Sequence, residues 1–263
     1  MPAHEFDPGY GRPPFDELCR SYPGPDVYQP GDFRVEWGPI FHRGRLDGSA
    51  RVLALGQDPG VHENIARRIL VGEAGQRVQG FLAKLGIESS YVMVNTFLYS
   101  VYTQRGGERH KDDPEIVRYR NRWLDALLVD SRVEAVVAFG ALGDHAFGQW
   151  TQTPAGRRTQ VAYEYVPHPT SPRTDADMRR MLVRWNEALQ ALAPAIHSDV
   201  ERDLVLYGDT LTDADHAAIP ERDLPAGLPG WMRSLETWAV RVGASSGQRR
   251  RTIIVTVPKE GGS

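Results

Sequence analysis

Between residues 51 and 192, short apolar runs alternate with segments of helical spacing, and this alternation limits the chain to few folds. Arg51-Val52-Leu53-Ala54-Leu55 stops at Gly56, and Tyr91-Val92-Met93-Val94 stops at Asn95. The run from Val133 to Phe139 stops at Gly140, and that from Val161 to Val166 at Pro167. Short runs bounded by turn residues read as buried strands. Between them, Gln76 to Leu85 repeats Val78, Phe81, Leu82 and Leu85 and ends at Gly86, a C-terminal cap signal. Pro114 to Asp130 opens with a proline suited to a first helical turn. Leu142 to Trp150 reads as a short helix, and Asp175 to Leu192 as a long amphipathic one. The order β-α-β-α-β-α-β-α predicts an α/β fold, a three-layer α/β/α sandwich around a central four-stranded parallel sheet. Right-handed crossovers bring the strand C-termini to one edge, where open α/β sheets hold ligands. The informative residues are therefore those that directly follow each strand.

Three segments follow from this pattern. Residues 1–50, rich in Pro and Gly, are expected to be an irregular lead-in packed on the core, with a short helix near Phe15 to Cys19. Residues 51–198 are the expected core, and 199–263 an extension of the same domain. In that extension the spacing predicts a helix from Pro229 to Val242, a turn over Gly243 to Gly247 and an added edge strand over Thr252 to Val257.

Composition excludes several classes. Of 263 residues, 41% are hydrophobic and 25% charged, which fits neither a disordered chain nor a coiled coil. No stretch approaches ~20 consecutive apolar residues, so no membrane partner is expected. Met1-Pro2-Ala3-His4-Glu5-Phe6-Asp7 lacks the pattern of a signal peptide, and a cytoplasmic location is expected. Cys19 is the sole cysteine, which excludes an intrachain disulfide, a cysteine-rich zinc site and a four-cysteine iron–sulfur cluster in one chain. The formal charge of −3 is neutral on nucleic acid. The segments before residue 61 and after residue 198 are each net acidic, whereas the middle is net basic. Only Lys84, Lys111 and Lys259 are lysines among 31 basic residues. That preference suits bidentate phosphate contact, and a genomic base-composition bias explains it equally well.

Three strand ends carry chemistry. Gly56-Gln57-Asp58-Pro59-Gly60 is a tight loop whose backbone N–H groups can hold an oxygen, with Asp58 at the crevice. Asn95 offers a donor and an acceptor that can read a base edge. His168, in Pro167-His168-Pro169-Thr170-Ser171-Pro172, is pinned between prolines. Alone, each has a plainer reading: a helix cap, an Asx turn and a stiffened turn. Together they put an acid, an amide and an imidazole on one edge.

This combination resembles the uracil-DNA glycosylase superfamily. Gly56 to Gly60 is similar to its motif A, matching four residues of G-Q-D-P-Y-H. His168 to Pro172 is similar to motif B, H-P-S-P, with one residue inserted, and Asn95 stands where the family reads uracil. Leu70-Val71-Gly72-Glu73-Ala74-Gly75-Gln76 resembles the F-V-G-x-A-G-x segment of the thermostable, cluster-bearing branch. The resemblance covers about residues 50 to 193. Gly60 replaces the Tyr that excludes the thymine methyl, so that exclusion must come from elsewhere or be relaxed. Leu70 replaces a stacking Phe; either Phe97 or an aliphatic contact would serve instead. The missing cysteines mark a cluster-free outlier.

The resemblance implies hydrolysis of the N-glycosidic bond of uracil in single- or double-stranded DNA, with the nucleotide flipped into a pocket and no cofactor or metal. Asp58 would orient water and face the sugar cation, and His168 would stabilise the leaving uracil. Gly56, Gln57, Pro59, Gly60, Leu70 and Asn95 would line the base. Ser171 and Arg173, together with Thr174, would touch DNA, with Arg67 and Arg68 flanking the pocket. The basic loop Arg105 to Lys111 also resembles a loop of an unusual branch whose final His bonds covalently to the abasic sugar, which places His110 at the DNA. The alternative is a protein that binds uracil or abasic DNA with little turnover, or traps it through His110. A monomer is expected.

Overall fold

The computed structural model describes residues 8–234, 236–244 and 252–257. Helix α1 spans Phe15–Arg20, and strand β1 His42–Gly44. The alternation then runs β2 Val52–Gly56, α2 Val61–Ala66, α3 Glu73–Lys84, β3 Tyr91–Asn95, α4 Gln104–His110, α5 Pro114–Leu128, β4 Ala135–Phe139, α6 Ala141–Thr151, β5 Ala162–Val166 and α7 Asp175–Leu192. The central sheet has the order β1-β3-β2-β4-β5. β2, β3, β4 and β5 are parallel, and β1 is antiparallel to β3, with His42 opposite Val94.

The sheet therefore has five strands where the pattern predicts four. The fifth, His42-Arg43-Gly44, is three residues long and carries a charge. Arg43 is fully buried and pairs with the equally buried Asp223 at 2.9 Å. A strand whose middle residue is neutralised from 180 positions away has no local apolar signal.

Period-2 alternation in the strands feeds both layers. Leu53, Leu55, Val92, Val94 and Val136 face α1, α5 and α6, through Leu18, Trp123, Leu124 and Phe147. Val52, Ala54, Met93, Val137 and Phe139 face α3 and α7, through Phe81, Leu82, Trp185 and Leu189. Phe81, Phe139 and Trp185 meet edge to face at 5.5–5.8 Å, the offset geometry aromatic quadrupoles favour. Burying each such ring contributes about 2–3 kcal/mol, so α7 is held firmly against the sheet. The lead-in joins the first layer through Phe15, Leu18, Tyr28 and Phe33.

The extension after residue 198 straps the other side. The Asp199 carboxylate accepts from the backbone N–H groups of Glu88, Ser89 and Ser90 at 2.7–2.9 Å. Lys84 pairs with Asp215 at 2.9 Å, and Asp223 joins Arg43, Arg45 and Tyr91. The predicted helix from Pro229 to Val242 is absent: a single 3-10 turn over Gly230–Arg233 leads to strand β6, Ala239–Arg241. The expected edge strand forms as β7, Ile253–Val255, but pairs antiparallel with β6 in a separate two-stranded sheet. Burial of Trp238 and Ala239 against α2 overrides the helical spacing. Most of the predicted Gly243 to Gly247 turn, and the run Arg249-Arg250-Arg251, lie outside the described residues. Among the described residues, no helix is long and apolar enough to cross a membrane.

Candidate active site

The site is built where β2 and β3 end side by side, with Gly56 paired to Asn95. The Gly56 carbonyl accepts from the Thr96 N–H and from Thr96 Oγ1, both at 3.0 Å, and the Gln57 carbonyl accepts from Phe97 N–H at 2.9 Å. These bonds extend the ladder one step past the strands and fix both loops. Gly56 is required: a Cβ there would lie 2.3 Å from Asn95 Oδ1. Asn95 is 8% exposed, and its Oδ1 has no hydrogen-bond partner among the described residues. A buried acceptor left unpaired costs about 1–3 kcal/mol, which a ligand donor would recover.

Asp58 follows on the same loop, half-buried, with its Oδ2 accepting from Val101 N–H at 3.0 Å. Burial pushes its carboxyl up to about 7, and nearby Glu63 adds to the rise. The Val101 N–H and the charges of Arg241 and Arg34 oppose it. Arg34 comes from the lead-in and lies against the rings of Trp37 (4.9 Å) and Tyr102 (4.3 Å). The Gln57 side chain crosses the end of β4, where Gly140 at φ +104° gives it room. Pro59 is buried.

Glu63, on α2, is a positioning residue that the sequence reading did not single out. It is 7% exposed, and its carboxylate accepts from the N–H groups of Gly60 (3.0 Å), Val71 (3.0 Å) and Gly72 (3.4 Å). It thus ties the acid loop to the start of α3. A Cβ on Gly60 would meet Glu63 Oε2 at 2.7 Å, so no larger side chain fits there while Glu63 makes this bond. The signal available was a glycine three residues before a glutamate at a helix start. Leu70, buried and left-handed at φ +52°, packs beside Gly56 and Asn95.

His168 follows β5. The Trp185 indole N–H donates to the Pro167 carbonyl at 3.1 Å, and Arg77 Nη1 donates to the Pro169 carbonyl at 2.5 Å. The carbonyls on both sides of His168 are therefore held, one from α7 and one from α3. Thr170 N–H donates to His168 Nδ1 at 3.3 Å. A backbone N–H can only donate, which favours Nδ1 as acceptor with the ring proton on Nε2, and Thr170 Oγ1, 3.2 Å from the same nitrogen, can donate to it as well. Burial, aided by Arg77, lowers the imidazole to about 4, so it is neutral at pH 7. Ser171 and Arg173 are exposed on the same loop, ahead of the α7 cap formed by Thr174 and Asp177.

The remaining expected residues lie elsewhere or are otherwise engaged. His110 Nε2 is 2.9 Å from Asp32 Oδ2, and its ring packs on Phe33 at 5.0 Å. The expected basic loop from Arg105 to Lys111 is mostly helix α4, capped by Thr103, because Thr103 Oγ1 accepts from Gly106 N–H. Arg67 donates to the carbonyls of Trp37 (2.7 Å) and Pro39 (2.8 Å), which commits it to the lead-in. Phe97 is wholly buried against Phe33, so its ring is part of the core. Among the described residues, no group of three or more His, Cys, Asp or Glu side chains could hold a metal.

No curated protein matches the chain in a sequence search. The family model of the uracil DNA glycosylase superfamily matches residues 43–190, from β1 into α7, which takes in all three strand ends described above. The chain belongs to the uracil DNA glycosylase superfamily.

Proposed function

We propose that the protein is a DNA glycosylase that releases uracil from DNA and leaves an abasic site. The observation that carries this reading is the buried Asn95 Oδ1, which has no partner among the described residues. Uracil presents a donor at N3 and an acceptor at O4, which match the two ends of the Asn95 amide. Cytosine presents the opposite polarity at both positions and is disfavoured.

A base inside a duplex cannot reach these groups, so the nucleotide is flipped out. As the N-glycosidic bond lengthens, positive charge grows on the sugar and negative charge on the base. The Asp58 carboxylate faces the sugar and orients the attacking water. The His168 Nε2–H donates to uracil O2 as it becomes an oxyanion. A neutral donor serves here because its geometry is fixed before the charge appears. The backbone N–H groups of Gln57 and Asp58 support the base, since Pro59 has none and that of Gly60 is held by Glu63, and Leu70 offers it an aliphatic face. The Thr170 N–H supports the donor role by donating to Nδ1, which leaves the ring proton on Nε2, while Arg77 and Trp185 hold the loop still.

Hydrolysis is favoured over trapping, because the His110 Nε2 is already engaged by Asp32. Ser171 and Arg173 are free to approach the DNA strand beside the pocket. The test is uracil release from single- and double-stranded oligonucleotides, with thymine mismatch, hypoxanthine and xanthine as competitors. Release from uracil alone would place base exclusion in a residue other than Gly60.

A further inference from the structure

The extension after residue 198 ends in a hairpin whose position beside the acid loop suggests a further role. Helix α2 starts directly after Gly60, and β6 packs on it. The Trp238 ring meets His62 edge to face at 4.7 Å and Trp231 at 5.3 Å. Met232, Trp238 and Ala239 close an apolar cluster with Val61 and Ile65. This cluster fixes the strand that follows. Side chains alternate along a strand, so Ala239 and Arg241 share the inward face and Val240, 40% exposed, points out.

Arg241 is itself exposed and makes no ion pair among the described residues. Arg173 is exposed on the His168 loop, on the other side of the site, whereas three arginines nearer the acid loop are engaged. Arg34 lies between two rings, Arg67 holds lead-in carbonyls, and Arg77 holds Pro169 and Glu73. An exposed guanidinium two residues beyond Ala239, on the strand that packs against the helix following the acid loop, is placed for a phosphate of the DNA strand entering the site.

We infer that Arg241 contacts a DNA phosphate flanking the flipped nucleotide, making the C-terminal hairpin part of the DNA-binding surface. This rests on the glycosylase reading for the identity of the substrate. Its charge also acts on Asp58, together with that of Arg34 and against that of Glu63.

The test compares wild type with Arg241→Ala, Arg241→Gln and Arg241→Lys. Affinity for a uracil-containing duplex is read by fluorescence anisotropy across a salt series, and uracil release is read separately. Loss of one phosphate contact lowers the slope of log affinity against log salt by about 1. The Ala and Gln variants are expected to bind about tenfold more weakly, with that smaller slope, and Lys is expected to keep the slope. The acid limb of their pH profile moves to higher pH, since only the Val101 N–H and Arg34 then oppose burial and Glu63. Unchanged affinity and slope in both Ala and Gln variants overturn the proposal, whether or not wild type releases uracil. Absence of release by wild type with salt-dependent binding intact overturns the catalytic reading alone.

Discussion

The Asn95 amide occupies the space that a Gly56 side chain would need: a Cβ on Gly56 would stand 2.3 Å from Asn95 Oδ1. The two residues are paired at the ends of adjacent parallel strands, so neither can move far without breaking the ladder. Gly56→Ala is expected to displace the amide by about an ångström and to lower single-turnover uracil release on the order of 100-fold. Its melting temperature should stay close to that of Asn95→Ala, which removes the amide itself. Full activity in Gly56→Ala would mean that Asn95 does not read the base.

Asp58 sets a pH dependence whose sign can be worked out. Its carboxyl is pushed up to about 7 by burial, whereas an unfolded chain ionises near 4. The protonated form is thus favoured in the folded state, and stability falls as pH rises from about 4 through about 7. Asp58→Asn should therefore be more stable than wild type at pH 8.5, on the order of 2 kcal/mol after allowance for solvent at a half-buried group, with no gain at pH 4. Urea unfolding at both pH values measures this. The same group predicts an acid limb in kcat/KM near pH 7, because His168 stays neutral down to about 4.

The hold on His168 can be tested without touching its ring. Trp185→Phe keeps most of the buried surface and removes the N–H that binds the Pro167 carbonyl. It should cost about 1 kcal/mol of stability and lower kcat about tenfold with little change in KM. A drop in stability with unchanged kcat would make Trp185 a core residue only.

The strap is expected to be structural. Asp223→Asn leaves the wholly buried Arg43 without its countercharge. Breaking one side of such a pair costs about 3–5 kcal/mol, which should appear as a large fall in the urea midpoint. Equal stability would show that the Ile69 carbonyl and Gln79 Oε1, not the Asp223 charge, satisfy the buried Arg43.

The layered core was legible because each strand is an apolar run stopped by Gly, Asn or Pro, and each long helix carries its own stripe. The residues at those stops also mark the candidate site, since parallel strands bring their C-termini together. What escaped the sequence depends on distant pairing. β1 hides because Arg43 is neutralised by Asp223. Arg77 looks like any helical surface arginine until its Pro169 contact is known. The segment from Pro229 to Val242 has helical spacing, yet Trp238 finds His62 and α2 and the chain extends instead. The basic segment from Arg105 to Lys111 reads as a loop, but Thr103 caps α4 there.

On the proposed mechanism, Asp58 and His168 are expected to cleave the glycosidic bond of deoxyuridine in DNA. The most direct measurement is uracil release from a uracil-containing oligonucleotide by wild type, Asp58→Asn and His168→Ala at pH 8. Wild type is predicted to release uracil, with each variant slower by about 100-fold or more while remaining folded. No release by wild type, or wild-type rates in either variant, would contradict it.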